Sequence, residues 1–242
     1  MNYSIIIPTL NEEKLLPPLL NKLRDPDLNK KYDFEIIVSD GGSDDGTLEL
    51  ARKYADKVIT KDENIDQNIA MGRNIGADQA DGDILIFYNG DVIPENLPLV
   101  FDMIEEKFMK GNYDAMTCFV KVFPEEQKFI DIIFQTFYNN YFHLLNIIGL
   151  GMGRGECHII KKEIFNEFNG YNEDLAAGED FDLYRRIRKK GKILMARNLT
   201  VFESPRRYRE YGHFRILFTW LINSIYIVLS NSSKSKEWKA VR

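Results

Sequence analysis

Three acidic segments concentrate the reactive side chains of this chain: Ser39-Asp40-Gly41-Gly42-Ser43-Asp44-Asp45-Gly46-Thr47, Tyr88-Asn89-Gly90-Asp91 and Gly178-Glu179-Asp180-Phe181-Asp182-Leu183. The first two directly follow apolar, β-branched runs. That puts their carboxylates at the carboxyl ends of parallel strands, the edge where open α/β sheets bind ligands. Converging there, the three segments suit a nucleoside diphosphate and its divalent cation, with one carboxylate left for proton transfer. Asp40, followed by Gly41 and Gly42, can accept hydrogen bonds from the ring N–H groups of a base with no side chain in the way. An Asp/Gly/Ser turn that caps the next helix is the competing reading. Gly90 lets the chain turn so that Asp91 faces the crevice, and the Asn89 amide can reach a ribose. A hard cation takes one or two carboxylates and completes its shell with phosphate oxygens and water. Neighbouring acids can be split by environment into different roles, so Glu179 and Asp180 form the catalytic pair. Asp180 is the candidate base for an attacking hydroxyl, and N-capping of the helix that follows competes.

Further side chains complete the set. Pro8 fixes the backbone at the end of the first apolar run, and Thr9, Asn11 and Glu12 offer hydrogen bonds to a base or ribose. Arg73 can set a bidentate guanidinium on a diphosphate, against the plainer reading of a solvated helix arginine. Arg206 and Arg207 can stabilise a leaving diphosphate, with an interfacial basic patch as the alternative. His213 is a weak candidate for a further metal ligand, because a lone histidine beside aromatics usually serves structure.

The elements that must position these groups follow from the pattern of apolar residues. Strand-like runs at 4–7, 35–39, 57–60 and 83–88 alternate with helical patterns at 12–23, 47–55 and 68–80, the signature of right-handed βαβ units. A helix over 102–110 and a strand over 115–122 continue the series. Beyond Phe123-Pro124 the reading becomes less regular. An amphipathic helix is expected over 129–148, a flexible glycine loop over 149–155, a short helix over 162–168, and a helix over 180–190 with Tyr184-Arg185-Arg186 on its outer face.

Composition bounds the rest. With 44% hydrophobic and 29% charged residues and a net charge of -5, the chain reads as globular and carries no nucleic-acid signature. Cys118 and Cys157 form neither a disulfide framework nor a metal spacing, which favours a reducing compartment. The first residues have no basic n-region or cleavage site, so export is not expected. The apolar stretch 214–229 is interrupted by Arg215 and Asn223 and falls short of the roughly 20 residues of a spanning helix. A helix lying in the membrane interface, or one packed on the core or on a second copy, is expected instead.

Together and in this order, Ile7-Pro8-Thr9-Leu10-Asn11-Glu12, the Asp40 loop, Arg73-Asn74-Ile75-Gly76, Asn89-Gly90-Asp91 and Gly178-Glu179-Asp180 resemble the family 2 glycosyltransferases of the GT-A fold. The resemblance implies a mostly parallel, Rossmann-like α/β sheet flanked by helices. It also implies a GT-A domain over 1–210, with a nucleotide-binding half to about 122, an acceptor half over 123–210 and a helical tail over 211–242. By analogy Asp40 binds the base, Arg73 supports the diphosphate, Asp91 coordinates Mn²⁺ or Mg²⁺, and Asp180 is the base in an inverting transfer. The implied donor is a UDP- or GDP-sugar, and the acceptor a glycan, a lipid-linked or a small molecule. The implied setting is cytoplasmic, at or near the membrane face. Asn89 replaces the first aspartate of the family's metal motif, which gives up a charge, and Gly41 stands where a second aspartate is common. The Gln/Arg-x-x-Arg-Trp motif of processive synthases is absent, which favours transfer of a single sugar. A nucleotidyltransferase would need a basic, glycine-rich loop at residues 8–12. A non-catalytic binding module would not need both Glu179 and Asp180.

Overall fold

The computed structural model describes residues 2–235 and 241. In chain order the first half runs β1 (Tyr3–Thr9), α1 (Leu16–Leu23), α2 (Pro26–Lys31), β2 (Phe34–Asp40), α3 (Thr47–Tyr54), β3 (Lys57–Thr60), α4 (Ile69–Asp78) and β4 (Ile84–Tyr88). The second half runs β5 (Val92–Pro94), α5 (Leu97–Met103) with a π-helical extension Ile104–Met109, β6 (Ala115–Val122), α6 (Phe129–Ile147), β7 (Cys157–Lys161), α7 (Lys162–Glu167), α8 (Glu179–Arg188), β8 (Ile193–Glu203), α9 (Arg206–Tyr211) and α10 (His213–Ser230).

Eight strands form one sheet in the order β3-β2-β1-β4-β7-β6-β8-β5. The half β3-β2-β1-β4 is wholly parallel, as the strand–helix alternation requires. Strands β7 and β5 run against their neighbours, so the sheet as a whole is mixed. Along β1 the side chains alternate between two cores. Ile5 and Ile7 face the layer of α1, α3 and α5, while Ile6 faces the layer of α4, α7 and α8. That double burial explains why β1 and β4 read as unbroken apolar runs.

Several elements depart from expectation for local reasons. Helix α1 starts at Leu16 rather than at residue 12, because Pro17 and Pro18 have no amide to donate to the carbonyls of residues 13 and 14. The helix expected at 102–110 begins at Leu97, capped by Asn96. Tyr184 is fully buried and donates its hydroxyl to the Met116 carbonyl, so it belongs to the inner face of α8. Within the stretch 149–155, residues 151–154 are packed rather than open, with Met152 and Arg154 buried. Gly153 allows this close approach, since a Cβ there would lie 2.6 Å from the Tyr184 ring.

Helices α6 and α10 join the body through a third cluster that includes Phe134, Tyr138, Phe142, Phe181 and Ile227. Their junction is fixed by Asp131, which is 0% exposed. Its carboxylate accepts from the Lys128 amide at 2.7 Å, pairs with Arg209 at 2.5 Å and meets His213 Nε2 at 2.7 Å. Burial alone would raise its pKa. The Arg209 guanidinium, the Lys128 amide and His213 outweigh burial and bring it to about 2. A depressed folded-state value makes this contribution complete above the ordinary aspartate range, with loss as pH falls from about 4 towards 2. Asp131→Asn is therefore expected to cost about 2 kcal/mol at pH 7 in urea unfolding, and the difference from wild type should shrink towards zero near pH 2.

Candidate active site

The strand ends β1, β2 and β4, the loop before β7, the start of α8 and the start of α9 surround one crevice of ≈ 1140 Å³. Its chemistry is organised by Arg73. This side chain leaves α4 and is 1% exposed, which excludes the solvated helix arginine. It donates to Glu179 Oε1 at 2.6 Å, to Asn89 Oδ1 at 3.0 Å and to the Gly155 carbonyl at 2.8 Å. Three segments distant in sequence thus meet on one guanidinium, whose fork geometry allows several simultaneous acceptors.

Helix α8 begins at Gly178, whose φ of 84° is the left-handed conformation that glycine adopts without a Cβ penalty. The turn sets Glu179 and Asp180 in the first helical turn, where the helix dipole favours negative charge. Glu179 is neutralised by Arg73. Asp180 is half-buried beside it. Burial and the neighbouring Glu179 charge push its carboxyl up to about 7, with Arg73 acting in the opposite direction. One carboxyl is in this way spent on an ion pair while the burial of its neighbour tightens that neighbour's hold on its proton, the arrangement that separates a structural carboxylate from a proton-transfer group.

On the opposite wall, Arg206 reaches from α9 to Glu12 Oε1 at 2.6 Å and to Asp91 Oδ2 at 3.1 Å. Pro8, Thr9, Gly90 and Arg207 line the same crevice. Burial lowers the pKa of Arg207 from its ordinary value, while at Arg206 burial acts in the same sense and is outweighed by Glu12 and Asp91, which raise it. Among the described residues no group of three or more His, Cys, Asp and Glu side chains forms a metal cage. The carboxylate of Asp91 fits a hard cation that also takes phosphate oxygens, and not a nitrogen- or sulfur-loving metal, whereas the Asn89 oxygen is held by Arg73.

Four residues named from the sequence fall outside the crevice lining. Asp40 is fully buried, and its oxygens accept from the Gly42 and Ser43 amides and from the Thr9 and Ser43 hydroxyls. Those four bonds occupy the acceptor capacity of a carboxylate, so Asp40 braces its loop as the turn reading held, and Gly41 forms the crevice wall instead. Asn11 (φ 55°) accepts from the Asp44 amide, while its own amide donates to Ser43. Gly42 turns the same loop at φ 96°. His213 is held by Asp131 and stacks on Tyr208 at 5.0 Å, which makes it structural and overturns its candidacy as a metal ligand.

A second ionic group in the crevice was missed from sequence. Arg154, buried, pairs with Glu156 at 3.1 Å and with Glu203 at 3.4 Å, and Tyr208 donates to Glu203 at 2.8 Å. Burial and Glu156 raise the pKa of Glu203 well above the carboxylate range. Arg154, working against burial, lowers that of Glu156. The only sequence signal was a charged pair, Arg154 and Glu156, set in a glycine run.

The family profile of glycosyl transferase family 2 matches residues 4–168. The poly(ribitol-phosphate) β-N-acetylglucosaminyltransferase TarS of Staphylococcus aureus is 36% identical over 94 residues, which is 38% of this chain and 16% of TarS. Curated relatives of this kind are spanned over only 16–35% of their length. Among solved structures, glucosyl-3-phosphoglycerate synthase from Mycobacterium tuberculosis with Mn²⁺, UDP-glucose and phosphoglyceric acid superposes at TM-score 0.65 and 16% identity, over 95% of this chain and 79% of that one. The mannosyltransferase PcManGT from Pyrobaculum calidifontis with GDP-Man and Mn²⁺ gives 0.63 at 19% identity, over 84% and 56%. At such identities the likeness shows the fold, which is GT-A.

Removing the central cation leaves Glu179 buried without its partner, a change that typically costs 3–5 kcal/mol. Arg73→Met is expected to fall in that range by urea unfolding. Adding Glu179→Gln should recover a part of order 1–3 kcal/mol. A strictly additive double variant would show that the pair is not coupled.

Proposed function

Because this chain belongs to glycosyl transferase family 2, we propose that it moves a single sugar from a nucleoside diphosphate donor to an acceptor hydroxyl with inversion. The observation that carries this reading is the split carboxyl pair: Glu179 spent on Arg73, Asp180 raised to about 7 beside it. A base serves best when its pKa lies near the working pH.

The donor base and ribose lie against Pro8, Thr9 and Gly41, with the diphosphate towards Asn89, Asp91, Arg206 and Arg207, all of which line the crevice. A UDP- or GDP-sugar is the proposed donor, as in the solved neighbours that hold UDP-glucose and GDP-Man. Asp91 would hold Mn²⁺ or Mg²⁺ on the diphosphate, and the cation would neutralise charge on the leaving group. Arg206 already bridges Glu12 and Asp91, so it stands where the diphosphate charge develops. Asp180 accepts the acceptor's hydroxyl proton as that oxygen bonds to the anomeric carbon. The carbon–oxygen bond to the diphosphate breaks on the opposite face, and its electron pair leaves with the diphosphate. Arg73 and Glu179 take no proton and hold Asp180 in place. Free, buried Cys118 and Cys157 suit a cytoplasmic setting.

Asp180→Asn is expected to lower kcat by about 10²–10⁴-fold. Since the base works ionised, wild-type kcat/KM should rise with pH and level off above about 7, and the residual rate of the variant should lose that dependence. Donor binding is tested by melting temperature. A UDP- or GDP-sugar at a hundredfold its Kd with Mn²⁺ should add about 2.7 kcal/mol, or roughly 5–10 °C. Asp91→Ala or omission of Mn²⁺ should abolish that shift. No shift with either donor class would overturn the donor-site assignment.

A further inference from the structure

Twenty large apolar side chains are exposed among the described residues, and eighteen of them lie on 129–150 and 214–229, that is, on α6, the turn after it and α10. This is far beyond scattered surface apolar residues, and such concentrations mark an interaction site. Helix α10 is long and apolar enough to cross a membrane by length and composition alone. Its inner face, however, is committed to the body: Ile216 packs with Val122 and Tyr208, and Ile227 with Phe181 and Met152. The helix therefore lies along the domain and turns Phe214, Phe218, Ile222 and Leu229 outwards.

The two helices meet along one seam, where Phe134 packs edge-on against Phe214 and Tyr138 against Trp220, and diverge beside it. The catalytic crevice continues between them, lined by Phe137, Tyr141 and Leu145 from α6 and by Leu217, Leu221 and Ile225 from α10. Its inner end is the start of α8, where a Cβ on Gly178 would lie 2.5 Å from Ile227 Cδ1. Asp180 is two residues further on. An apolar channel thus opens at an apolar surface and ends at the proposed base.

Charge identifies the occupant. The acid of α6 is Asp131, buried and paired, and α10 contains no acid at all. Residues 204–242 carry eight Lys and Arg against two Glu in a chain whose net charge is -5. Polar groups on these helices close on their own backbone: Asn140 on the Thr136 carbonyl, Thr219 on that of Arg215, Ser230 on that of Tyr226. An apolar face without acids, whose helices carry or adjoin the exposed cations Lys128, Arg215 and Lys234, complements an anionic bilayer surface.

We propose that α6 and α10 seat the protein on an anionic membrane, and that the channel between them takes the apolar chain of a membrane lipid whose polar head presents the acceptor hydroxyl to Asp180. The acceptor role rests on the transferase reading above, while the lipid contact stands on the surface itself. The chain contains two tryptophans, and Trp220 lines the channel, so Trp238→Phe isolates it as a reporter. The full chain carrying that change is mixed with vesicles of equal parts phosphatidylcholine and phosphatidylglycerol, with or without brominated acyl chains. Co-sedimentation with quenching of Trp220 emission by the brominated chains is the expected result. Phe214→Glu with Ile222→Glu should reduce the bound fraction roughly tenfold while the melting shift with a UDP- or GDP-sugar persists. Absence of vesicle binding, binding without quenching, or a dimer in ultracentrifugation that does not bind vesicles would each overturn the proposal. Quenching without any donor-induced shift would support the lipid channel and overturn the transferase reading instead.

Discussion

The site depends on one buried cation. A guanidinium that is 1% exposed must have a counter-charge and acceptors close by, because an unpaired charge in an apolar interior is prohibitively costly. Arg73 finds them in Glu179, Asn89 and the Gly155 carbonyl. Its requirement draws together α4, the end of β4, the loop before β7 and the start of α8. Because Glu179 supplies the counter-charge, Asp180 is left beside a fixed anion in a partly dehydrated setting, and its proton is held more tightly. Packing and acidity therefore have a common cause.

The two walls of the crevice divide the work by composition. The wall built from β1, β2 and β4 is polar and stiff, since loops at the ends of doubly buried parallel strands have little freedom and the Asp40 carboxylate spends its four bonds holding its own loop. The wall built from α6 and α10 is aromatic and aliphatic, and it is tied down chiefly by Asp131 and by the cluster around Phe142 and Ile227. Between them lies the Arg154–Glu156–Glu203 group, which keeps charge buried at the boundary through its ion pairs and the Tyr208 hydroxyl. A polar donor wall facing an apolar wall suits a reaction whose two substrates differ in polarity.

Legibility followed sequence distance. The parallel half could be read because each strand–turn–helix unit is local: apolar run, Asp/Gly turn, amphipathic helix. Asp91, Glu179, Asp180 and the paired arginines at 206 and 207 could be read for the same reason, as turn residues at element ends. Strands β7 and β8 could not, since β7 inserts antiparallel between β4 and β6 and takes its place from partners far along the chain. The Arg154–Glu203 pair spans 49 residues, and no spacing rule announces it. Asp40 was legible as a residue and illegible as a role, because its amide and hydroxyl partners are set by loop geometry. The structural role expected of His213 had no partner in the sequence, and it acquires one, Asp131, only through the packing of α10 on α6.

The central claim is that a neutralised Glu179 and a proton-holding Asp180 coexist on one helical turn. Carbon-detected NMR titration of the Asp180 side-chain carboxyl, in wild type and in Glu179→Gln, measures this directly. The account predicts an apparent pKa near 7 in the wild type and a clear fall when the neighbouring anion is removed. Titration of wild-type Asp180 in the ordinary aspartate range near 4, unchanged by the substitution, would contradict it.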